Sequence, residues 1–479
     1  MISYKMKAIP EHTFEGMPLM RRVRNVHFVG IGGAGMCGIA EVMHNQGYKI
    51  TGSDLVANQA TERLQGLGVT VHVGHNAKFV SDVDAIVVST AIPANNAELQ
   101  AARNGRIPVV SRAEMLGELL RARYGIAVAG SHGKTTTTSL IVSIFNEAGW
   151  DPTYVIGGLL RSEGRHAKLG GSRYLIAEAD ESDASFLYLN PLVAVVCNID
   201  RDHLSTYDHD YNRLVHSFQE FVHRLPFYGL AVVCSDDYGV QQILNELARP
   251  VITYGLNKDA DYRALNVLYE NTRCKFTVVR PDGQASLDIE TCLPGTENVR
   301  NALGAVAIAS DEGVPDRYIV DGLHNYEGIH RRFDNETLTV NGQKMVLLDD
   351  YGHHPTELVH MVSTARELFP EQRIFMVFQP HRFTRTRDLF HDFVEILGRV
   401  DHLVVVDTYA ASEEPIVGAH ASDLTAAIVH KGTVPTSFAA TTQAALDYVL
   451  ENVQNDDVVI VQGAGSVDQV STQLRHLAE

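Results

Sequence analysis

The stretch Gly130-Ser131-His132-Gly133-Lys134-Thr135-Thr136 decides how this chain is read. It follows a short apolar run at 126–129 and precedes Ser139-Leu140-Ile141-Val142, which reads as the start of a helix. A strand, a Gly-rich turn ending in Lys-Thr and then a helix make a phosphate cradle. Backbone N–H groups and the helix N-terminus face the anion, Lys134 supplies a point charge, and Thr135 can hold Mg²⁺. The usual phosphate-loop pattern has a Gly five residues before its second Gly, where this chain has Val128. A helix cap with glycines in a tight turn would draw on similar residues. The lysine, the paired threonines and the preceding strand favour phosphate binding, and with it a nucleoside triphosphate.

Working outward, 479 residues predict roughly three domains. A hydrophobic fraction of 45% with 20% charged residues is that of a globular chain. The net charge of −18 argues against a general nucleic-acid binder, which needs a basic footprint, and leaves room for a local basic pocket. The cysteines at 37, 197, 234, 274 and 292 form no C-x-x-C pair. Dispersed thiols of this kind predict a reduced, cytoplasmic protein. The first 25 residues are broken by Pro10, Glu11, His12, Glu15 and Pro18, so no secretory signal is expected. No apolar run reaches the roughly 18 residues that span a bilayer, so no membrane association is expected. Arg21-Arg22-Val23-Arg24 reads as a solvated approach to the first strand.

Three blocks follow from the patterning. Residues 1–124 alternate strands (26–29, 48–51, 69–73 and 84–89) with helices such as 36–45, which implies a parallel sheet covered on its faces. Residues 125–326 carry the phosphate loop and strands at 174–177 and 192–197. Their later part, 262–292, alternates around a hairpin turn at Arg280-Pro281-Asp282-Gly283 and gives way to a helix at 299–312. Residues 327–479 form a second α/β unit, with strands at 345–348, 374–378, 402–406 and 458–461.

Other motifs also sit at strand ends. Gly30, Gly32 and Gly35 fit G-x-G-x-x-G, with Asp54 at the end of the next strand. This pattern admits a pyrophosphate and a ribose hydroxyl, which belong to a UDP-sugar as much as to a nicotinamide nucleotide. Glu178-Ala179-Asp180-Glu181-Ser182-Asp183 places four carboxylates after a strand, which suits Mg²⁺ bridging to phosphates; a solvated acidic turn is the plainer reading. Asn198-Ile199-Asp200-Arg201-Asp202-His203 leaves His203 open between a structural and a metal role. Asp349-Asp350-Tyr351-Gly352-His353-His354-Pro355-Thr356-Glu357 lacks the H-E-x-x-H spacing of a zinc site, and its Pro355 fits a first helical turn. Gln379-Pro380-His381-Arg382-Phe383-Thr384-Arg385-Thr386-Arg387 puts three arginines around a histidine in an acidic chain, as an anion pocket would.

Together these residues resemble the Mur ligases, and the resemblance runs from about Val26 to Gly465. It implies an α/β fold of three domains: an N-terminal Rossmann-like domain (1–124), a central P-loop ATPase-like parallel sheet with a small antiparallel sheet (125–326), and a C-terminal Rossmann-like domain (327–479). It implies an ATP- and Mg²⁺-dependent ligase that joins L-alanine to the carboxylate of UDP-N-acetylmuramate through an acyl-phosphate. Gly130, Ser131, His132, Gly133, Lys134, Thr135 and Thr136 would hold ATP, with Asn298 and Asn301 at the adenine and Arg332 and Asp350 reaching it from the third domain. Thr135, Glu178 and His203 would serve the metal. Gly30, Gly32, Gly33, Ala34, Gly35 and Asp54 would hold the UDP part. Tyr351, His381, Arg382 and Arg385 would lie near the alanine and the muramyl carboxylate, and Lys134, His203, Arg382 and Arg385 would be catalytic. Glu297 stands before Asn298 where the family commonly has histidine, and Arg201 where a small residue is usual.

The implied chemistry brings all three blocks together, so open and closed forms are expected. A monomer or weak homodimer is expected, with small-molecule substrates only. Two rival readings remain at this level. A related ligase would add a preformed peptide to the same sugar. A nicotinamide oxidoreductase would use the first block but leave the phosphate loop and acidic cluster unexplained.

Overall fold

The computed structural model describes residues 20, 22–89, 91–270 and 272–478, and of Ala34 only the backbone. Arg21 and most of the first 25 residues lie outside that set, so the expectations made for them do too. The protein is α/β, with three sheets sorted into two compact units.

The first unit runs to Ala122 and takes in Ala167–Leu169. Its strands are β1 (Asn25–Val29), β2 (Lys49–Asp54), β3 (Thr70–Val73), β4 (Ala85–Val88) and β5 (Val109–Ser111). They pair in the order β3-β2-β1-β4-β5, all parallel. The order reverses between β1 and β4, and the Gly-rich turn leaves β1 at that point, where open α/β sheets form their ligand crevice. β2 extends past the expected 48–51 because Gly52 and Ser53 continue the ladder opposite Phe28 and Val29. Only glycine serves at 52, since a Cβ there would sit 2.4 Å from the Ile31 side chain.

The second unit holds the remaining sheets, apart from Ala167 and Lys168 at the end of β8. The central one comprises β6 (Tyr124–Ala129), β7 (Thr153–Leu160), β8 (Arg165–Lys168), β9 (Tyr174–Glu178), β10 (Val193–Val196), β11 (Leu230–Cys234), β12 (Val251–Gly255), β13 (Tyr262–Glu270), β14 (Arg273–Val279) and β15 (Leu287–Thr291). Their order is β15-β14-β13-β12-β11-β10-β6-β9-β7-β8. β6 and β10 read as unbroken apolar runs because both faces are covered, as in parallel sheets generally. The antiparallel strands β13–β15 are continuous with this sheet, since β12 pairs parallel with β13. The expected turn at 280–283 joins β14 to β15, and a second reversal separates β13 from β14.

The third sheet contains β16 (Asp334–Val340), β17 (Gln343–Asp350), β18 (Ile374–Phe378), β19 (His402–Val406), β20 (Thr436–Ala439) and β21 (Asp457–Gln462), ordered β16-β17-β21-β18-β19-β20. β16 is antiparallel to β17, and its polar sequence DNETLTV hid it from pattern reading.

The helix after the phosphate loop starts at Lys134, not Ser139. Four consecutive threonines are weak helix formers. They are helical here because Gly133 turns the chain with a left-handed φ of 82° and because Thr135–Thr138 are buried. The helix is buried on most sides and packs among Val299, Leu303, Ile319 and Leu323 in the core of the second unit. Phe145 on this helix meets Trp150 and Tyr174 edge-on at 4.9 and 5.0 Å. Phe145→Ala should destabilise the second unit by ~3–5 kcal/mol. A urea titration followed through Trp150, the chain's single tryptophan, reads this as a lowered midpoint. An unchanged midpoint would contradict the packing described.

Candidate active site

The phosphate loop leaves the C-terminal end of β6 and is braced from the neighbouring strand. Ser131 N–H donates to the Asn198 carbonyl at 3.2 Å, and His132 N–H donates to Asn198 Oδ1 at 2.8 Å. A Cβ at Gly133 would lie 2.4 Å from Asn301 Oδ1, so glycine is needed there for both space and φ. The helix behind it has no side-chain cap, which leaves its N-terminal N–H groups directed at the loop.

Lys134 Nζ donates to Glu181 Oε2 at 2.7 Å and to the Gly130 carbonyl at 2.5 Å. Burial alone would lower its pKa, but Glu181, Asp180 and Glu178 hold it up at about 12. The ammonium therefore stays charged and is pre-placed inside the loop. Thr135 Oγ1 donates to Glu178 Oε2 at 3.1 Å, while Glu178 Oε1 accepts from Gly157 N–H. A hydroxyl and a carboxylate so close form a hard oxygen pair of the kind Mg²⁺ takes. His203 Nε2 lies 3.3 Å from Asp202 Oδ2. Burial foremost, with Arg385 and Lys134 adding to it against Asp202, lowers its pKa to about 4.

The central and third sheets meet over this loop. His132 places Nε2 at 3.0 Å from Asp200 Oδ2 and Nδ1 at 3.4 Å from Glu357 Oε1. Two carboxylates facing two ring nitrogens require both to carry protons. Burial opposes the charge, yet Asp200 and Glu357 raise His132 to about 10. Thr356 Oγ1 also donates to Asp200, at 2.6 Å. His132, Asp200 and His354 bring three potential ligand atoms within 4.8 Å. Since His132 is itself the cation, the cluster is closed by protons without a metal.

Glu357 holds this position through a local motif. His354 caps the helix Pro355–Leu368, its Nδ1 accepting from Thr356 N–H, and Glu357 accepts back from the His354 N–H. Pro355 is the first helical residue, as expected. Arg332 lies 3.8 Å from Glu357 and over the Tyr351 ring. Asp350 accepts from the N–H groups of Phe333 and Gly352.

Arg385 is buried and donates to Asp202 Oδ1 at 3.1 Å, while its Nε has no partner among the described residues. The His381 ring stacks on Tyr409 and lies 5.2 Å from that of His353. Burial and neighbouring arginines keep His381 neutral, with a pKa lowered to about 4. Arg382 is half-exposed, near Glu413. Arg201 rests over the Tyr211 ring, which accounts for its size at that position.

Between the two sheets lies a cavity of about 220 Å³. Its lining includes His132, Gly133, Thr136, Asn298, Asn301, Arg332 and Asp350, all singled out from sequence. It also includes Glu297, singled out from sequence only as a departure from the family pattern, and His360, Thr364 and Glu367, which carried no motif and were missed. Glu181 and Asn198 stood inside quoted motifs without an assigned role, and so did Asp200 and Glu357.

In the first unit, Gly32 N–H donates to Asp54 Oδ2 at 2.8 Å, so Asp54 shapes the turn it was expected to serve. Gly33 opens the helix Ala34–Asn45 without a side-chain cap, and Gly30 takes a φ of 83°. Gly35 packs against Arg112, whose Nη1 would meet an added Cβ at 2.6 Å. The turn thus combines an uncapped helix end with close backbone access, the requirements of a diphosphate site.

Comparison with known proteins follows the same division. Residues 25–124 match the Mur ligase family, catalytic domain; 128–309 the Mur ligase middle domain; and 331–465 the Mur ligase, glutamate ligase domain. Among solved structures, the chain is similar to the UDP-N-acetylmuramate-alanine ligase of Thermotoga maritima, with 25% identity and a TM-score of 0.79 over 94% of this chain and 98% of that one. A murein peptide ligase of Psychrobacter arcticus shares the fold, with 22% identity and a TM-score of 0.69 over 95% and 98%. The UDP-N-acetylmuramate:L-alanyl-gamma-D-glutamyl-meso-diaminopimelate ligase of Neisseria meningitides matches at 26% identity and a TM-score of 0.59, over 64% of this chain and 100% of that one. With three successive family matches and a shared fold, this chain belongs to the Mur ligase family, ATP-dependent ligases of peptidoglycan synthesis.

Proposed function

We propose that the protein joins L-alanine to the carboxylate of UDP-N-acetylmuramate, with ATP cleaved to ADP and phosphate. The observation that carries this reading is the juxtaposition at the cavity. Gly133, Thr136 and the uncapped helix end face Arg332, just before β16, and Asp350, at the end of β17, across one site. A carboxylate is a poor acyl donor because oxide leaves badly. Transfer of the terminal phosphoryl group makes it an acyl-phosphate, and the amine then displaces phosphate through a tetrahedral intermediate.

Each residue has a part in that sequence. Gly130–Thr136 would wrap the phosphates, with Lys134 and Arg332 offsetting their charge. Thr135, Glu178 and His203 would hold Mg²⁺, which supplies further neutralisation of the triphosphate. Asn298 and Asn301 would border the nucleoside. Arg385 would exchange its contact with Asp202 for an anionic substrate, and Arg382, Tyr351 and His381 would border the amino acid. Neutral His203 and His381 add no charge that would repel the incoming ammonium. The turn at Gly30–Gly35 with Asp54 would hold the UDP group. Cytoplasmic location and a monomer or weak homodimer go with this reading. Catalysis on these terms is positioning and charge stabilisation, not covalent chemistry by the protein.

The choice of a single amino acid over a peptide is supported by the rings of His353, His381 and Tyr409, His381 stacked on Tyr409 and tilted against His353, a cluster that suits a small acceptor. The higher TM-score to the alanine ligase, 0.79 against 0.69 for the murein peptide ligase, supports the same choice.

Phosphate release should require ATP, Mg²⁺, UDP-N-acetylmuramate and L-alanine together, and Lys134→Ala should lower it by about 10³-fold or more. Unchanged turnover in that variant would overturn the ATP site. Replacing L-alanine by the tripeptide L-alanyl-γ-D-glutamyl-diaminopimelate should lower release at least tenfold; a preference for the tripeptide would favour the peptide-adding reading.

The junction cluster should also set a pH window. The pKa of His132 is raised in the folded protein, so its stabilising effect is full below its ordinary pKa of about 6.5 and is lost as pH rises through about 10. The pKa values of Asp200 and Glu357 are depressed, chiefly through His132 against the effect of burial. Their effect is full above the ordinary carboxylate range near about 4 and is lost as pH falls below it. His132→Gln should therefore flatten the denaturation midpoint between these limits. An unchanged midpoint profile across pH 5–10 would contradict the bridge.

A further inference from the structure

The cavity has a direction, set by the two helices that wall it. On the helix Thr296–Asp311, Asn301 touches the phosphate loop, and Glu297 lies one turn nearer the helix start, about 6 Å away. On the helix Pro355–Leu368, Glu357 faces His132, His360 faces Glu297, and Thr364 abuts Gly295. The first helix thus runs toward the phosphate loop and the second away from it, and Glu297 and His360 meet at the end of the cavity far from the loop. A nucleotide with its phosphates in the loop extends its base to that level.

Glu297 is a prepared acceptor there. Its Oε1 takes an ion pair from Arg300, and His360 Nε2 lies 3.4 Å from the same oxygen. Arg300 is in turn held by Asp236 at 3.0 Å. The carboxylate is oriented by contacts on one oxygen, and an ionised carboxylate can only accept. A 6-aminopurine presents an N–H donor to such a group. A 6-oxopurine presents a carbonyl oxygen, which a carboxylate repels.

We propose that Glu297 selects the base of the nucleotide, accepting from the exocyclic amine of adenine and rejecting a 6-oxopurine, with Arg300 and His360 fixing its orientation. The proposal rests on the ATP site described above and adds a selectivity element to it.

The test is direct binding of ATP and of inosine triphosphate, each with Mg²⁺, to the full chain by calorimetry. The wild-type protein should prefer ATP by roughly 10- to 100-fold. Glu297→Gln, whose amide can donate or accept, should bring the two nucleotides to near parity. Glu297→Ala should weaken ATP while leaving inosine triphosphate unchanged or tighter. ATP binding with the preference retained in Glu297→Gln overturns this inference alone. Failure of the wild-type protein to bind either nucleotide overturns the ATP site and this inference with it.

Discussion

One imidazolium joins the phosphate loop to the third sheet. His132 lies inside the loop, and its two nitrogens face Asp200 of the central sheet and Glu357 of the third. A buried cation with a carboxylate on each side is stable only while all three charges are present, because removing one leaves the others unpaired in a poorly solvated site. The cavity walls, the approach of Arg332 and the pairing of Glu297 with His360 all depend on this closure. It also explains why the central and third sheets form one compact unit although their strands are separate.

The same logic governs the other charged groups. The chain is acidic overall, yet the site proposed for its anionic substrates is built from Lys134, Arg332 and Arg385. Lys134 is held by Glu181, Arg332 lies near Glu357, and Arg385 is held by Asp202. Such pairs add little net stability once desolvation is counted. What they contribute is position: each cation is already oriented before a phosphate or carboxylate arrives to displace or join its partner. Preorganisation of this kind is what phosphoryl transfer asks of a protein.

Pattern reading succeeded where local rules dominate. The α/β class, the all-parallel first sheet and the strand–turn–helix at the phosphate loop follow from apolar runs ending in glycine. It went astray where tertiary packing overrode local preference. The four threonines after Lys134 are helical because the core encloses them, and β16 is a strand because β17 pairs with it, not because its residues alternate. Asp54 was legible as a residue of the first turn, but its bond to the Gly32 N–H was not. Glu181, Asn198 and Glu357 could be seen only as members of polar runs.

The sequence by itself determined which chemical groups are present and at which strand ends they stand: lysine and threonine after β6, carboxylates after β9, and histidines and arginines after β17 and β18. Those positions follow from local propensity and spacing, which act over a few residues. Only the tertiary structure decided which groups face one another. His132 meets Glu357, Arg385 meets Asp202, and Glu297 meets His360 across 225, 183 and 63 residues of chain. No local rule reaches that far, because such contacts are set by how the sheets pack and by the need of each buried charge for a partner.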